Sequence, residues 1–335
     1  MQKKFKKNRP VALIGKALAA MFLIASSAAH AQAGAAAYPT KPVKLVVGFA
    51  AGGPTDVVAR AFADHASKAL GQPFIIDNKP GAGTIIAAQA VANAPADGYT
   101  LLFGATNHTM IPALYQGRVK FDAVKSFRPL CTVAGSPTVL VVAPNLPVKT
   151  LAEYQTKARA EPGRVTAGTA GVGSSGHFAT EIFARAQGLQ LNHVPYKGAA
   201  PVVTDLMGGQ LDSSFATLGS VLPQIQSGKL RALAVGAPKR SALVPDVPTF
   251  AEAGGGNYSA DVWYGVLAPA GLPEPIAQAL ERTAADFAKS APTAEKLRGM
   301  GMEPESVCGN TFAGRVAQEV ATYSQIAKAL DLKAD

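Results

Sequence analysis

Val43–Leu70, which reads VKLVVGFAAGGPTDVVARAFADHASKAL, decides the fold. Within it, Leu45–Phe49 is a continuous apolar run, the pattern of a strand buried on both faces of a parallel sheet. Small, turn-prone residues follow in Ala50-Ala51-Gly52-Gly53-Pro54. Beyond them Val57, Val58, Ala61, Phe62, Ala66 and Leu70 share one side of a helical pattern, and Pro54 suits a first turn, where a missing N–H loses nothing. Strand, glycine corner and helix in that order predict an α/β fold. Ligands in open α/β sheets gather beyond the carboxyl ends of strands, where this corner belongs. Its glycines admit a ligand to the backbone, and the helix behind offers unpaired N–H groups to an anion. An ordinary tight β–α turn has the same local pattern.

Further β–α units follow. Phe74–Asp77 and Tyr99–Phe103 read as strands, the first running into Asn78-Lys79-Pro80-Gly81-Ala82-Gly83 and the second into a polar loop, Gly104-Ala105-Thr106-Asn107-His108. A helix is expected over Thr84–Asn93. Phe127–Ala134 and Val139–Ala143 read as two strands parted by Ser136-Pro137. Thr150 with Glu153 forms a capping box. The alternation then repeats, with strands at Val165–Gly168, Asn192–Val194, Leu211–Phe215 and Leu230–Val235 and helices at Gly176–Gln187, Ala199–Met207 and Leu218–Gln226. Pro245–Tyr258 reads as an irregular connection, and Val262–Ala268 as a strand returning to the first lobe. Two helices close the chain, Ile276–Lys289 and one capped by Asn310 with Phe312, Val316, Val320 and Leu330 inward.

The chain opens with Lys3, Lys4, Lys6, Lys7 and Arg9, then the apolar stretch Val11–Ala29 and the small-x-small site Ala29-His30-Ala31. This predicts a secretory signal peptide over residues 1–31, followed by a small-residue leader, Gln32–Ala37. Six cations and no acids lie in those 31 residues, so the net charge of +10 falls to +4 on cleavage. No basic block survives, which argues against a nucleic-acid partner. The 304 residues left of 335 suit two lobes. Cys131 and Cys308 are the only cysteines, read here as two buried free thiols, although an oxidising compartment would let them pair.

Gly168–His177, GTAGVGSSGH, is a second strand–glycine–helix corner. Each half of the chain thus contributes one, and face to face they would surround a small carboxylate with N–H groups, with hydroxyls from Thr169, Ser174 and Ser175. Gly171–Gly176 also matches G-x-G-x-x-G, but Gln190–Ala200 lacks the acidic residue that a dinucleotide site needs. No G-x-S-x-G, H-E-x-x-H or close His/Cys cluster occurs, so neither a cofactor nor a metal is expected. Ser174 and Ser175 near His177 fit helix capping better than nucleophilic catalysis. Asp56 either caps its helix or meets an ammonium or hydroxyl of the ligand. His108 and His177 stand at the edges of the expected pocket. Trp263 is expected to pack near the crossover rather than on the ligand.

Several ordered segments resemble the Bug-type solute-binding proteins of tripartite tricarboxylate transporters. They are Phe49–Asp56 (FAAGGPTD), Asn78–Gly83 (NKPGAG), Asp97–Leu102 (DGYTLL), His193–Gly198 (HVPYKG), Gly208–Asp212 (GGQLD), Pro245–Gly254 (PDVPTFAEAG) and Trp263. The resemblance runs from about Tyr38 to the C-terminus. It implies a periplasmic binding protein of type II-like architecture, two α/β lobes joined by crossing strands around a cleft that closes on ligand. The lobes are expected at 32–137 with 264–335 and at 138–263. The family resemblance implies ligand contacts from Phe49, Ala50, Ala51, Gly52, Gly53 and Thr55, from Thr106, Asn107 and His108, from Thr169, Ala170, Gly173, Ser174 and Ser175, and from Thr217; Asp56 joins these candidates from its own place in the corner. Members often carry proline where Ala50 stands. The implied function is that of a monomer in the periplasm, capturing an organic acid or amino-acid-like anion for a membrane permease. A secreted enzyme using Ser174/His177 or Asp56, or a ligand-sensing subunit for a membrane receptor, are the alternatives.

Overall fold

A computed structural model describes residues 1–2, 38–115, 117–256, 261–329 and 332. The expected signal peptide beyond residue 2, the leader, Tyr258 and Leu330 lie outside the described residues. The chain divides into two units, Met1–Thr40 and Lys41–Asp335, and the fold below is that of the second.

The elements are β1 (Val43–Val47), α1 (Pro54–Leu70), β2 (Phe74–Asn78), α2 (Ile85–Ala92), β3 (Thr100–Ala105), α3 (Asn107–Leu114), β4 (Phe127–Val142), α4 (Leu151–Ala160) and β5 (Thr166–Thr169). They continue with α5 (Ser175–Ala186), β6 (Asn192–Pro195), α6 (Ala199–Met207), β7 (Ser213–Thr217), α7 (Leu218–Gln226), β8 (Arg231–Gly236) and β9 (Asp261–Pro269). The last are α8 (Glu274–Lys289), α9 (Ala291–Gly299), β10 (Glu303–Pro304) and α10 (Gly309–Ala329). The sheet order is β2-β1-β3-β9-β4-β7-β5-β6, with β8 and β10 also paired to β4. β1 is parallel to both β2 and β3, as its unbroken apolar run requires.

β4 corrects one expectation. Phe127–Val142 is a single strand of 16 residues rather than two. Its Phe127–Pro137 part pairs with β9, and Thr138–Val142 pairs with β7 and β8. Pro137 therefore marks a change of partners, not a break, since a residue without an N–H is tolerated where one ladder ends and another begins. The strand joins two lobes, each with its own core. Trp263, Phe312, Phe127, Val46 and Leu267 pack in the first. Tyr154, Phe183, Phe215 and Phe250 pack in the second, where Phe215 and Phe250 stack at 5.9 Å.

Local signals set most helix ends. Thr150 Oγ1 accepts from Glu153 N at 3.2 Å, and Glu153 reaches back to Lys149 N. Of the polar loop expected at 104–108, Gly104 and Ala105 instead end β3 and Asn107 and His108 start α3, which accommodates Pro112. The final helix starts at Gly309, so Asn310 stands in its first turn and does not cap it. α9, capped by Ser290, has no counterpart in the sequence reading. The two cysteines form a disulfide, Cys131–Cys308, contrary to the expectation of free thiols. They are 177 residues apart, and only their antiparallel bridge between β4 and the approach to α10 brings them together.

Candidate functional site

Two glycine corners face each other across the interlobe cleft. On the first, Gly53 precedes α1 with no side-chain cap and Pro54 opens the helix. The first-turn N–H groups therefore have no intrahelical acceptor and no side-chain partner from the cap. On the second, Ser174 caps α5, its Oγ accepting from His177 N at 3.3 Å. Gly176 packs on Phe215 O so closely that a Cβ would collide with it.

Between the corners lies a cavity of about 60 Å³ open to water centres, room for a few waters or a small molecule. Its wall takes the cap residue Gly53 with Pro54 and Thr55 of α1, Asn107 of α3, the cap Ser174 with Ser175 and Gly176 of α5, Ala199 of α6, and the cap Thr217 with Ser220 of α7. All these stations lie at or near helix N-termini, whose dipoles turn their positive ends inward. Phe49, Val202, Val203, Val262 and Tyr264 supply apolar surface. Among the described residues no charged side chain lines this wall. Phe49, Ala170 and Ser174 also face a second compartment of about 240 Å³, bounded by Pro80–Thr84, Tyr115, Gly171, Val172 and Pro195–Lys197.

The remaining expected residues stand behind the wall. Asp56 lies off it, with its side chain only 2% exposed, and accepts from Gly52 N (3.0 Å), Arg60 Nε (2.9 Å) and Asn78 Nδ2 (2.9 Å). Asn78 Nδ2 also donates to Phe49 O at 3.0 Å, so the whole corner is tied to β2. Burial works to raise the Asp56 pKa, but the bonds from Arg60, Gly52 and Asn78 outweigh it and hold the carboxyl below its ordinary value. Thr106 accepts from Trp263 N at 2.8 Å and thereby fixes β9. His108 is not at the pocket edge. It is buried against Phe121 and Phe127, and Nε2 bonds Ala123 O at 2.8 Å. Ala51 and Gly52 are exposed and Ala50 is half-buried, and none of the three lines the cavity.

Thr169 Oγ1 bonds His193 Nε2 at 2.7 Å, and the rings of His193 and His177 stack at 4.2 Å. Gly173 N donates to His177 Nδ1 at 3.3 Å, which places the ring's proton on Nε2. Burial, aided by His193, holds His177 down at about 3, so it is neutral at physiological pH. Ser174 bonds the histidine's backbone and not its ring, so the two are arranged as a cap and a loop brace rather than as nucleophile and base.

Across the cleft, Tyr115 Oη donates to Val172 O at 3.3 Å, and Gly83 lies directly opposite Val172. Ala82 and Thr84 flank Gly83 with φ of 46° and 82°, a strained corner of the kind found at ligand clamps. Trp263 is fully buried away from the cavity as expected, against Phe312 at 4.9 Å, and its Nε1 donates to Glu319 Oε2 at 2.9 Å. Sequence reasoning missed Tyr264, Ser220, Val202 and Val203. Strand alternation could have found Tyr264, because Val262 and Tyr264 share the face opposite Trp263.

Among the described residues no helix is long and apolar enough to cross a membrane, and no group of three or more His, Cys, Asp or Glu could hold a metal. The chain is similar to known proteins over most of its length. Residues 58–332 match the model of the tripartite tricarboxylate transporter family receptor. Protein BugT of Bordetella pertussis is 33% identical over 322 residues, 96% of this chain and 97% of its own. An R. palustris protein solved with adipate is 36% identical, with a TM-score of 0.85 over 89% of this chain and 100% of that one. The periplasmic binding protein BugD is 31% identical, with a TM-score of 0.84 over the same shares. Helix-ringed cleft, two-lobe fold and these likenesses agree, and the chain belongs to the receptor family of tripartite tricarboxylate transporters.

Proposed function

We propose that this protein captures a small carboxylate between its two lobes in the periplasm and hands it to a membrane permease, with no covalent step. The observation that carries this reading is the cavity wall built from helix N-termini and hydroxyls, with no acidic side chain among the described residues that line it. Such a wall stabilises an anion through oriented N–H groups, and closure removes the water that would screen them. The relative solved with adipate supports a carboxylate as the cargo.

The lobes divide at 32–137 with 264–335 and at 138–263, and a cleavable peptide over 1–31 directs export. Phe49, Gly53, Thr55, Asn107, Ala170, Ser174, Ser175 and Thr217 contact the ligand. Ala50, Ala51, Gly52, Asp56, Thr106, His108, Thr169 and Gly173 shape the corners that do so. The protein acts as a monomer beside its permease and performs no catalysis. The test is mass spectrometry of whatever co-purifies, followed by calorimetric titration of ligand-stripped protein with mono-, di- and tricarboxylates. One carboxylate binding at micromolar Kd or better is expected, and silence across the panel refutes the reading.

A further inference from the structure

α5 meets three neighbours at once. Its cap Ser174 and first residues Ser175 and Gly176 form part of the cavity wall. Ala179, Phe183 and Ala184 pack into the second lobe's core. Phe178 and Ile182 lie on another stripe, four residues apart, and pack instead with Met110, Ile111 and Leu114 of α3 and with Tyr115. Phe178 is 1% exposed, and its ring meets that of Tyr323 in α10 edge-on at 5.4 Å. α10 belongs to the first lobe, since its Phe312 and Val316 pack in that core. Beside this contact, Tyr115 Oη donates to Val172 O at 3.3 Å, and a Cβ on Gly173 would lie 3.3 Å from the Tyr115 ring. A helix of the second lobe thus plants a buried phenylalanine among side chains of the first. Phe178 lines neither compartment of the cleft.

We infer that Phe178, backed by Tyr115, is a positioning residue that clasps the two lobes and sets how long a ligand is held. Drawing α5 away from α3 and α10 brings the Phe178 ring into water, and the hydrophobic effect opposes that step. Closing buries the ring again and turns the N-terminus of α5 toward that of α1, so the clasp completes the wall without touching the ligand. It needs no ligand atom, and it therefore favours the closed arrangement of the empty protein as well. Its contribution is the same for every ligand. Residence time then rests on this seam, while choice among ligands rests on the cavity wall. This deepens the capture reading above and rests on it for the nature of the ligand alone.

The test compares wild type, Phe178→Ala and Tyr115→Phe, each stripped of ligand and checked for folding by circular dichroism. Small-angle X-ray scattering of the empty proteins is expected to give Phe178→Ala a larger radius of gyration than wild type. Stopped-flow release of adipate, or of whichever acid binds in a panel of mono-, di- and tricarboxylates, is expected to be about tenfold faster in Phe178→Ala, with association no slower. Tyr115→Phe keeps the ring and loses one hydrogen bond, so its release is expected to quicken about threefold. In Phe178→Ala the ratio of affinities between any two acids is expected to match that of wild type. A residue that only supported the second lobe's fold would lower Tm and leave both radius and release rate unmoved. A wild-type radius or a wild-type release rate in Phe178→Ala overturns the inference, and so does a changed order of preference among the acids. Should Phe178→Ala fail to fold, Tyr115→Phe decides, and release at the wild-type rate then overturns it. If no carboxylate binds any of the proteins, the carboxylate reading falls and the radii of the empty proteins alone decide the clasp.

Discussion

Replacing Asp56 with Asn keeps the side chain's shape and removes its charge. In the native corner both carboxylate oxygens only accept, from Gly52 N and Arg60 Nε on one and Asn78 Nδ2 on the other. The amide must turn its NH2 toward one of these donor sets and leave it without an acceptor. The buried bonds from Gly52 and Asn78 contribute roughly 1.5 kcal/mol each. Arg60 is 53% exposed, so its pairing adds at most about 0.5 kcal/mol after solvent screening. Only one of the two sets is lost, so the expected loss is about 1.5–2 kcal/mol, near 4 °C in Tm for a chain of this size. Because the same bonds hold Phe49–Gly53 in place, Kd for the carboxylate is expected to rise about tenfold. Differential scanning calorimetry and calorimetric titration read the two effects. Asp56 has a lowered pKa in the folded state. Its contribution is therefore present above the ordinary carboxylate range and lost as pH falls below it, so the Tm gap between the two proteins should close in acid. A variant with unchanged Tm and tighter binding would refute the reasoning, for it would mean that Asp56 faces the ligand and repels it.

Three further outcomes are expected. Gly83→Ala sets a Cβ 2.6 Å from Val172 O in the opposite lobe. It should fold yet close poorly, binding at least tenfold more weakly, with a larger radius of gyration under ligand in X-ray scattering; wild-type affinity contradicts the closed geometry. Reducing Cys131–Cys308, or replacing both cysteines with Ser, opens a loop of 177 residues and should lower stability by about 3–5 kcal/mol in urea unfolding; an unchanged midpoint contradicts the pairing. His108 and His177 are pushed down to about 4 and about 3 by burial, so the unfolded chain binds protons that the native protein does not. Stability should then fall as pH drops from about 6.5 toward 4, by roughly 1.4 kcal/mol per pH unit for each histidine; a flat Tm between pH 7 and 5 rejects this.

The sequence alone determined what depends on near neighbours. The run Leu45–Phe49 with Gly52-Gly53-Pro54 announced the first corner, and Gly171–Ser175 the second, because strand burial, left-handed turns and helix caps are settled within a few residues. Thr150 with Glu153 and Ser174 before His177 were legible for the same reason. Tertiary structure decided whatever depends on register between distant strands. Pro137 reads locally as a stop, yet the chain passes through it from one lobe's ladder to the other's. Asp56 and His108 carry chemistry suited to a pocket, but Asn78 and Ala123 claim them first. Cys131 met Cys308 only because β4 bridges to the segment before α10, and Tyr264 came to face the cavity while Trp263 faced the core only because β9 aligns with β4 in one register. A strand's side chains alternate faces, and a pairing shift of one residue would exchange them. Partners more than 100 residues apart fix that register, and no local pattern records it.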